Sequence, residues 1–323
     1  MIEEISFSNV SKTYPGGVVA LKNVSLTIPS GKVIAFIGAN GSGKTTALKL
    51  LSGQLQTDSG SISFLGLDPQ RNNQKMRKII GYTAQNVGLD NEITGLEALS
   101  LFASLYGING TKKKDTIHRL IDEFGLDEHI NRQIRSYSGG MAQRLHLALS
   151  VIHDPKYLLL DEPTNSLDPA GKHDLWQKLI NFDNKLIIIV THDLQEAAKY
   201  CDHVVLFHKG KILTDGSPDE IVEQDKSIQL QITYDGKLKD EFKKDLDSLP
   251  GLNRVSINHT DLLLSISADK YNDQAVYNVF EKYGINIIET RVHQPDLFTA
   301  YFNLTGQTPS SKPGKKNKGG KGK

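Results

Sequence analysis

Gly38-Ala39-Asn40-Gly41-Ser42-Gly43-Lys44-Thr45-Thr46 is the stretch whose reading decides the fold. An apolar run, Val33 to Ile37, precedes it, and residues at helical spacing, Leu48, Leu51 and Leu55, follow it. The segment therefore reads as a strand, a glycine-rich turn and a helix starting near Gly43. Glycine lets backbone N–H groups converge on an anion without Cβ clashes, and the helix start adds unsatisfied amides and the positive end of its dipole. A polyphosphate is the expected occupant. Lys44 then brings a point charge to the β- and γ-phosphates, and the Thr45 hydroxyl is placed to ligate Mg2+. An ordinary turn with a solvated lysine is the plainer reading, and the flanking strand and helix argue against it.

The bulk composition sets the frame around this turn. At 323 residues the chain suits one large domain and a small one. A net charge of +1 and a hydrophobic content of 38% are globular values and argue against a nucleic-acid-binding protein. The longest apolar runs, such as Leu186 to Val190, fall short of the ~20 residues a membrane-spanning helix needs. Met1-Ile2-Glu3-Glu4 has neither the basic start nor the apolar stretch of a secretory signal. The single cysteine, Cys201, allows no internal disulfide, which suits a reducing cytosol. It reads as a small packing residue more readily than as a reactive thiol.

Toward the N-terminus, residues 1 to about 30 alternate apolar and polar positions around a Pro15-Gly16-Gly17 turn, which predicts antiparallel strands. Tyr14, just before that turn, is placed to stack on a base. Beyond the phosphate loop, Asp58-Ser59-Gly60 opens a short β segment through Ile62 and Phe64, and Gly81-Tyr82-Thr83-Ala84-Gln85 closes another strand. From about 92 to 135 the spacing turns helical, with Leu96, Leu99, Phe102 and Leu105 and then Ile117, Leu120, Ile121 and Phe124. Ser138-Gly139-Gly140 then caps the helix beginning at Met141 and forms a second anion cup. Tyr157-Leu158-Leu159-Leu160-Asp161-Glu162 is an unalternated apolar run ending in two carboxylates, as expected of a buried parallel strand whose carboxyl end faces a ligand. Asp161 is expected to hold Mg2+, directly or through water, and Glu162 to act on an attacking water. A solvated acidic strand end is the competing reading. Leu186 to Thr191 is a second such strand, ending at His192 and bringing a further polar group to the same sheet edge.

In this order the residues resemble the ATP-binding cassette (ABC) family over roughly residues 1 to 220. The resemblance implies an α/β P-loop NTPase fold with a mixed sheet core, an antiparallel β subdomain and a helical subdomain at about 90–150. It implies Gly38, Asn40, Gly41, Ser42, Gly43, Lys44, Thr45 and Thr46 as the Walker A loop and Tyr14 as the adenine-stacking aromatic. Gln85 is similar to the Q-loop residue, with catalytic and metal-ligating roles beside Thr45 and Asp161. Ser138, Gly139 and Gly140 resemble the signature, Asp161 the Walker B aspartate, Glu162 the catalytic base, Asp168 the D-loop aspartate and His192 the switch histidine. Two departures stand beside the match: Met141 replaces the usual glutamine after the signature glycines, and Tyr137 the common leucine. The family's head-to-tail dimer, with each ATP between one subunit's Walker A loop and the other's signature, accounts for two cups but one phosphate loop.

After Gly216-Ser217-Pro218 the pattern restarts, and the order β, α, β, α, β over residues 226–305 predicts a small α+β accessory domain following an ATP-binding domain at 1–222. In it the single segment Val255 to Ile266 reads as one strand, and His259 and His293 as packing or surface residues. Residues 306–323, rich in lysine and glycine, are expected to be disordered. Asp296 to Gly306 and Thr94 to Gly107 look like the bacterial drug, antibiotic and lipid export branch. That resemblance implies an ATPase using ATP and Mg2+ at the cytoplasmic face of the cell membrane, peripherally bound. Its partners would be a separately encoded transmembrane permease and a second ATPase subunit, in a homodimer, with no nucleic acid. Two alternatives stay open: a soluble cassette ATPase acting on ribosomes or nucleic acid, and an importer subunit.

Overall fold

The computed structural model describes residues 5–28, 33–84, 88–182, 186–258, 260–293 and 295–306. Two units divide the chain, Met1–Ile212 and Leu213–Lys323. Within the first, β1 (Ile5–Tyr14) and β2 (Val18–Ile28) pair antiparallel, with alternate residues such as Ile5, Phe7 and Val10 buried. β3 (Val33–Ile37) is buried at all five positions. It feeds the glycine-rich turn and α1 (Lys44–Leu51). The helix ends before Leu55, which the spacing had assigned to it. Gly53, at φ 74, turns the chain, and Gly53 and Gln54 donate N–H groups to the carbonyls of Leu50 and Lys49. β4 (Ser59–Phe64) then pairs with the free side of β1 to give a three-stranded antiparallel sheet in the order β2-β1-β4.

α2 (Asn73–Ile79) and β5 (Ile80–Thr83) precede a helical segment of α3 (Gly95–Leu105), α4 (Gly110–Phe124) and α5 (Gly139–Val151). α3 starts at a capping box in which Thr94 and Glu97 satisfy each other's backbone N–H groups. The chain continues as β6 (Tyr157–Asp161), α6 (Pro169–Ile180), β7 (Leu186–Thr191), α7 (Leu194–Tyr200), β8 (His203–His208) and β9 (Lys211–Gly216). Six strands form one sheet in the order β5-β6-β7-β3-β8-β9, and the pairings from β5 through β8 are parallel. This explains the unalternated apolar runs: strands covered by helices on both faces have no polar side. It also places the carboxyl ends of β3, β6 and β7 side by side, with Asp161 opposite Val190 and Ile37 opposite Thr191.

In the second unit, α8 (Pro218–Glu223) leads into β10 (Ser227–Asp235), α9 (Asp240–Asp247), β11 (Leu252–Ile257), β12 (Asp261–Ser267), α10 (Asp273–Lys282), β13 (Asn286–His293) and α11 (Leu297–Thr305). The single strand expected over Val255 to Ile266 is a hairpin instead. Its polar middle turns the chain, and Asn258 N–H donates to the Asp261 carbonyl at 2.8 Å. The order is therefore β-α-β-β-α-β with a closing helix, and the antiparallel sheet runs β11-β12-β10-β13, the split-βαβ plait. Leu230, Ile232, Leu262, Leu264 and Ile266 pack from the sheet against Phe242, Leu246, Val276 and Phe280 of α9 and α10. His293 is exposed at the end of β13, whereas His259 and the tail from residue 307 lie outside the described residues. Cys201 is buried, and burial pushes its thiol pKa up, as suits a packing residue. Among the described residues no helix is long and apolar enough to cross a membrane.

Candidate functional site

The turn after β3 has a shape only glycine permits. Gly38 sits at φ 147 and Gly43 at φ 112; a Cβ on Gly38 would lie 2.2 Å from the Phe207 carbonyl oxygen, and one on Gly43 2.6 Å from that of Ala20. The loop is also tied from behind: Gly210 N–H donates to the Ser42 carbonyl at 2.9 Å and Lys22 N–H to the Gly210 carbonyl at 2.8 Å. On the other side Asn40 and Gly41 are exposed, and space around Gly41 is open. Ser42 Oγ is buried without a hydrogen-bond partner, a polar group within the loop left free for a ligand. Lys44 Nζ donates to the Gly38 and Ala39 carbonyls at 2.7 and 3.0 Å. Burial lowers its pKa, opposed by the charges of Glu162 and Asp161.

The strand ends meet this loop. Thr45 Oγ1 donates to Asp161 Oδ1 at 3.1 Å, while Asp161 Oδ2 is buried and unpartnered. Burial raises the Asp161 pKa, and the Thr45 bond offsets part of the rise. Glu162, 7% exposed, takes a left-handed φ of 53, and its N–H donates to the Val190 carbonyl at 2.9 Å, so the chain turns sharply as it leaves β6. That turn directs the carboxylate toward His192, whose Nδ1–H donates to Glu162 Oε2 at 2.9 Å. Burial alone would raise the Glu162 pKa; the His192 bond and charge, with Lys44, prevail and lower it. The same bond raises the His192 pKa. Asn165 also donates to Glu162 Oε2. The sequence reading passed over Asn165: Glu162-Pro163-Thr164-Asn165 can be read as a turn, here closed by Asn165 N–H to the Glu162 carbonyl at 3.3 Å, but a turn alone does not say that the Asn165 side chain meets the Glu162 carboxylate.

Lys44, Thr45, Asp161, Glu162 and His192 thus come together. Tyr14 and Thr46 share a hydrogen bond through their hydroxyls at 3.3 Å, which sets the Tyr14 ring beside the start of α1. Ser138 caps α5 by accepting from Met141 N–H at 3.3 Å, and Ser138 and Gly139 are exposed. This second cup neighbours Ser166, 3.1 Å from where a Gly139 Cβ would lie. Tyr137 OH donates to the His129 carbonyl at 2.9 Å, so its departure from leucine serves local packing. Asp168 caps α6, accepting from Gly171 N–H at 2.9 Å. Gln85 lies outside the described residues.

Residues 21–165 match the ABC transporter family. The Nod factor export ATP-binding protein I of Rhizobium etli is 30% identical over 94% of this chain and 93% of its own length. This chain belongs to the ABC transporter family. Linearmycin resistance ATP-binding protein LnrL of Bacillus subtilis is 27% identical over 93% of this chain and 97% of its own. Both alignments extend well beyond the cassette. A dimeric, post-hydrolysis state of the ATP-binding cassette MJ0796 bound to ADP and Pi superposes with a TM-score of 0.60 at 26% identity, covering 66% of this chain and 98% of that one. This chain is accordingly an ABC ATPase subunit that binds ATP, and its P-loop NTPase core is the fold expected from the sequence.

Proposed function

We propose that this ABC subunit hydrolyses ATP in a head-to-tail dimer and drives export through a separate membrane subunit, bound at its cytoplasmic face. The observation that carries the chemistry is the Glu162–His192 bond beside the Thr45–Asp161 bond at neighbouring strand ends. The near-full-length likeness to a Nod factor export subunit and a linearmycin resistance subunit supports export. A separate membrane subunit is also supported by the likeness to an ATP-binding protein described as part of an ABC transporter complex. α3 carries the exposed apolar residues Leu101, at 51%, and Leu105, at 71%, and its Phe102 lines, with Tyr106, Met76 and Leu149, a groove of about 370 Å3. We assign this groove to the membrane subunit.

Gly38 to Thr46 cradle the phosphates, Lys44 leaving its own loop carbonyls for the γ-phosphate, and Tyr14 stacks on the base. The unpartnered Asp161 Oδ2 beside the Thr45 hydroxyl fits Mg2+, a hard cation that takes few protein ligands and completes its shell with phosphate and water. Thr45 and Asp161 would hold it, with Gln85. The ion would neutralise charge on the phosphates. Glu162, kept ionised, accepts a proton from the attacking water while His192 orients the γ-phosphate. Ser138, Gly139 and Gly140 of one copy close over the nucleotide held by the other, near Asp168. Loss of the γ-phosphate then lets the halves part. A positioned base contributes about 10²–10⁴-fold, so Glu162→Gln should lower kcat by that range and trap an ATP-bound dimer in size-exclusion chromatography. Parental turnover in that variant would overturn the assignment.

A further inference from the structure

β13 closes one end of the second unit's sheet, and among the described residues only β10 pairs with it. Its other edge presents unpaired backbone groups, and apolar side chains cluster there: Ile288 is 64% exposed, Val292 58% and the neighbouring Tyr277 of α10 41%. Tyr277 OH donates to Thr290 Oγ1 at 3.4 Å, which puts Tyr277 along the same open margin. Natural sheets shield such edges or use them.

The sequence of the edge, Ile288-Glu289-Thr290-Arg291-Val292, is complementary to itself when reversed. We propose that two copies of this chain join β13 to β13 antiparallel, with the two-fold axis through Thr290, making one continuous eight-stranded sheet. In an antiparallel ladder, residues facing each other point their N–H and C=O groups the same way, so a two-fold axis must pass through a residue pair of one kind. An axis through Glu289 sets two glutamates face to face, and one through Arg291 two arginines. An axis through Ile288 sets Ile287 against Glu289; one through Val292 sets Arg291 against His293. Through Thr290, each Glu289 faces Arg291 of the second copy, and the apolar Val292 and Ile288 come together where the ladder ends. Glu289 and Arg291 now pair within one strand at 2.7 Å, with 49% and 61% of their side chains exposed, so both can turn to the second copy. Opposite charges across a strand pair stabilise it and like charges do the reverse.

The edge also limits the assembly. Ile288 is an extra residue between the pairs Thr233–Glu289 and Tyr234–Ile287, a bulge that ends the regular ladder. Pairing uses the open edge of β13 on both copies, so the contact closes as a dimer. This contact is separate from the nucleotide sandwich and needs no ATP.

The test uses full-length protein without nucleotide, with the buried native thiol removed by Cys201→Ala and one cysteine placed at position 289, 290 or 291. Under mild oxidation Thr290→Cys should form a disulfide dimer at least about tenfold faster than either neighbour. Mixing Glu289→Cys with Arg291→Cys should give the mixed disulfide, because only facing residues bring Cα atoms within disulfide reach. By sedimentation equilibrium, Arg291→Glu should raise the dimer dissociation constant about tenfold, and the swap Glu289→Arg with Arg291→Glu should restore it. No Thr290→Cys cross-link, equal cross-linking at all three positions, or failure of the swap to restore the dimer would each overturn the proposal. A dimer formed only on adding ATP would assign association to the sandwich alone and overturn it equally.

Discussion

Replacing Asn165 with alanine removes one of two hydrogen bonds that converge on Glu162 Oε2, leaving the bond from His192. A hydrogen bond to a charged group is worth about 1.5–3 kcal/mol when shielded. Glu162 is buried but Asn165 is exposed, so water can replace part of the lost bond. We therefore set the loss at about 1–1.5 kcal/mol, or roughly 5- to 12-fold in rate. Asn165 lies outside the phosphate loop, so kcat should fall while the KM for ATP stays within about twofold. Asn165→Asp is the sharper variant: it keeps the shape, removes the donor and sets a second carboxylate against the first, so its kcat should fall further. Steady-state ATP hydrolysis by the purified full chain reads both. If Asn165→Ala hydrolyses ATP at the parental kcat, or if only KM changes, Asn165 does not position Glu162 and the reasoning fails.

Gly43→Ala sets a Cβ 2.6 Å from the Ala20 carbonyl at a φ of 112, a strain and overpacking cost of about 2–5 kcal/mol; urea unfolding and ATP binding should both show the damage. His146, in the groove beside α3, has its pKa lowered by burial to about 4. Its neutral form therefore favours the fold, and stability should decline as pH falls from about 6.5 toward 4, by roughly 1–3 kcal/mol after allowance for solvent exposure. His146→Gln should flatten that part of the pH profile in thermal melts, and an unchanged profile would count against the desolvation argument. Chelating Mg2+ should abolish hydrolysis yet leave the unfolding midpoint of the nucleotide-free protein in place, since Thr45 and Asp161 already hold each other.

The gathering of Thr45, Asp161, Glu162 and His192 was legible in the sequence because they end or follow strands that alternate with helices. Val33–Ile37, Tyr157–Asp161 and Leu186–Thr191 each announce a buried parallel strand by their lack of polar alternation, and the residue that follows each is set by chain order. The second unit was harder to read. A hairpin inside Val255 to Ile266 depends on a short polar turn whose flanks keep the same alternation, so one strand and two look alike until their partners are known. Asn165 escaped for another reason: its role rests on the left-handed conformation of Glu162, which no spacing rule reveals. Self-complementarity of the β13 edge acquires meaning only once the sheet order shows that edge to be open.

The loop at Gly38 to Thr46 is braced from behind. The backbone carbonyls of Phe207 and Ala20 fill the space a Cβ would need, and the turn at Gly210 anchors Ser42 and, through Lys22, β2. A receptor mounted this stiffly behaves as an anvil rather than a spring. Under the function proposed above, the difference between a nucleoside triphosphate and a diphosphate is not absorbed by bending the cradle and passes instead to the carboxylate and histidine beyond β6 and β7 and to the cup at the start of α5 in the second copy. Substitution behind the loop at Gly210, where φ is 77 and a Cβ would lie 2.9 Å from the Ala20 carbonyl oxygen, should accordingly impair the coupling of nucleotide to movement although that residue lies outside the phosphate loop.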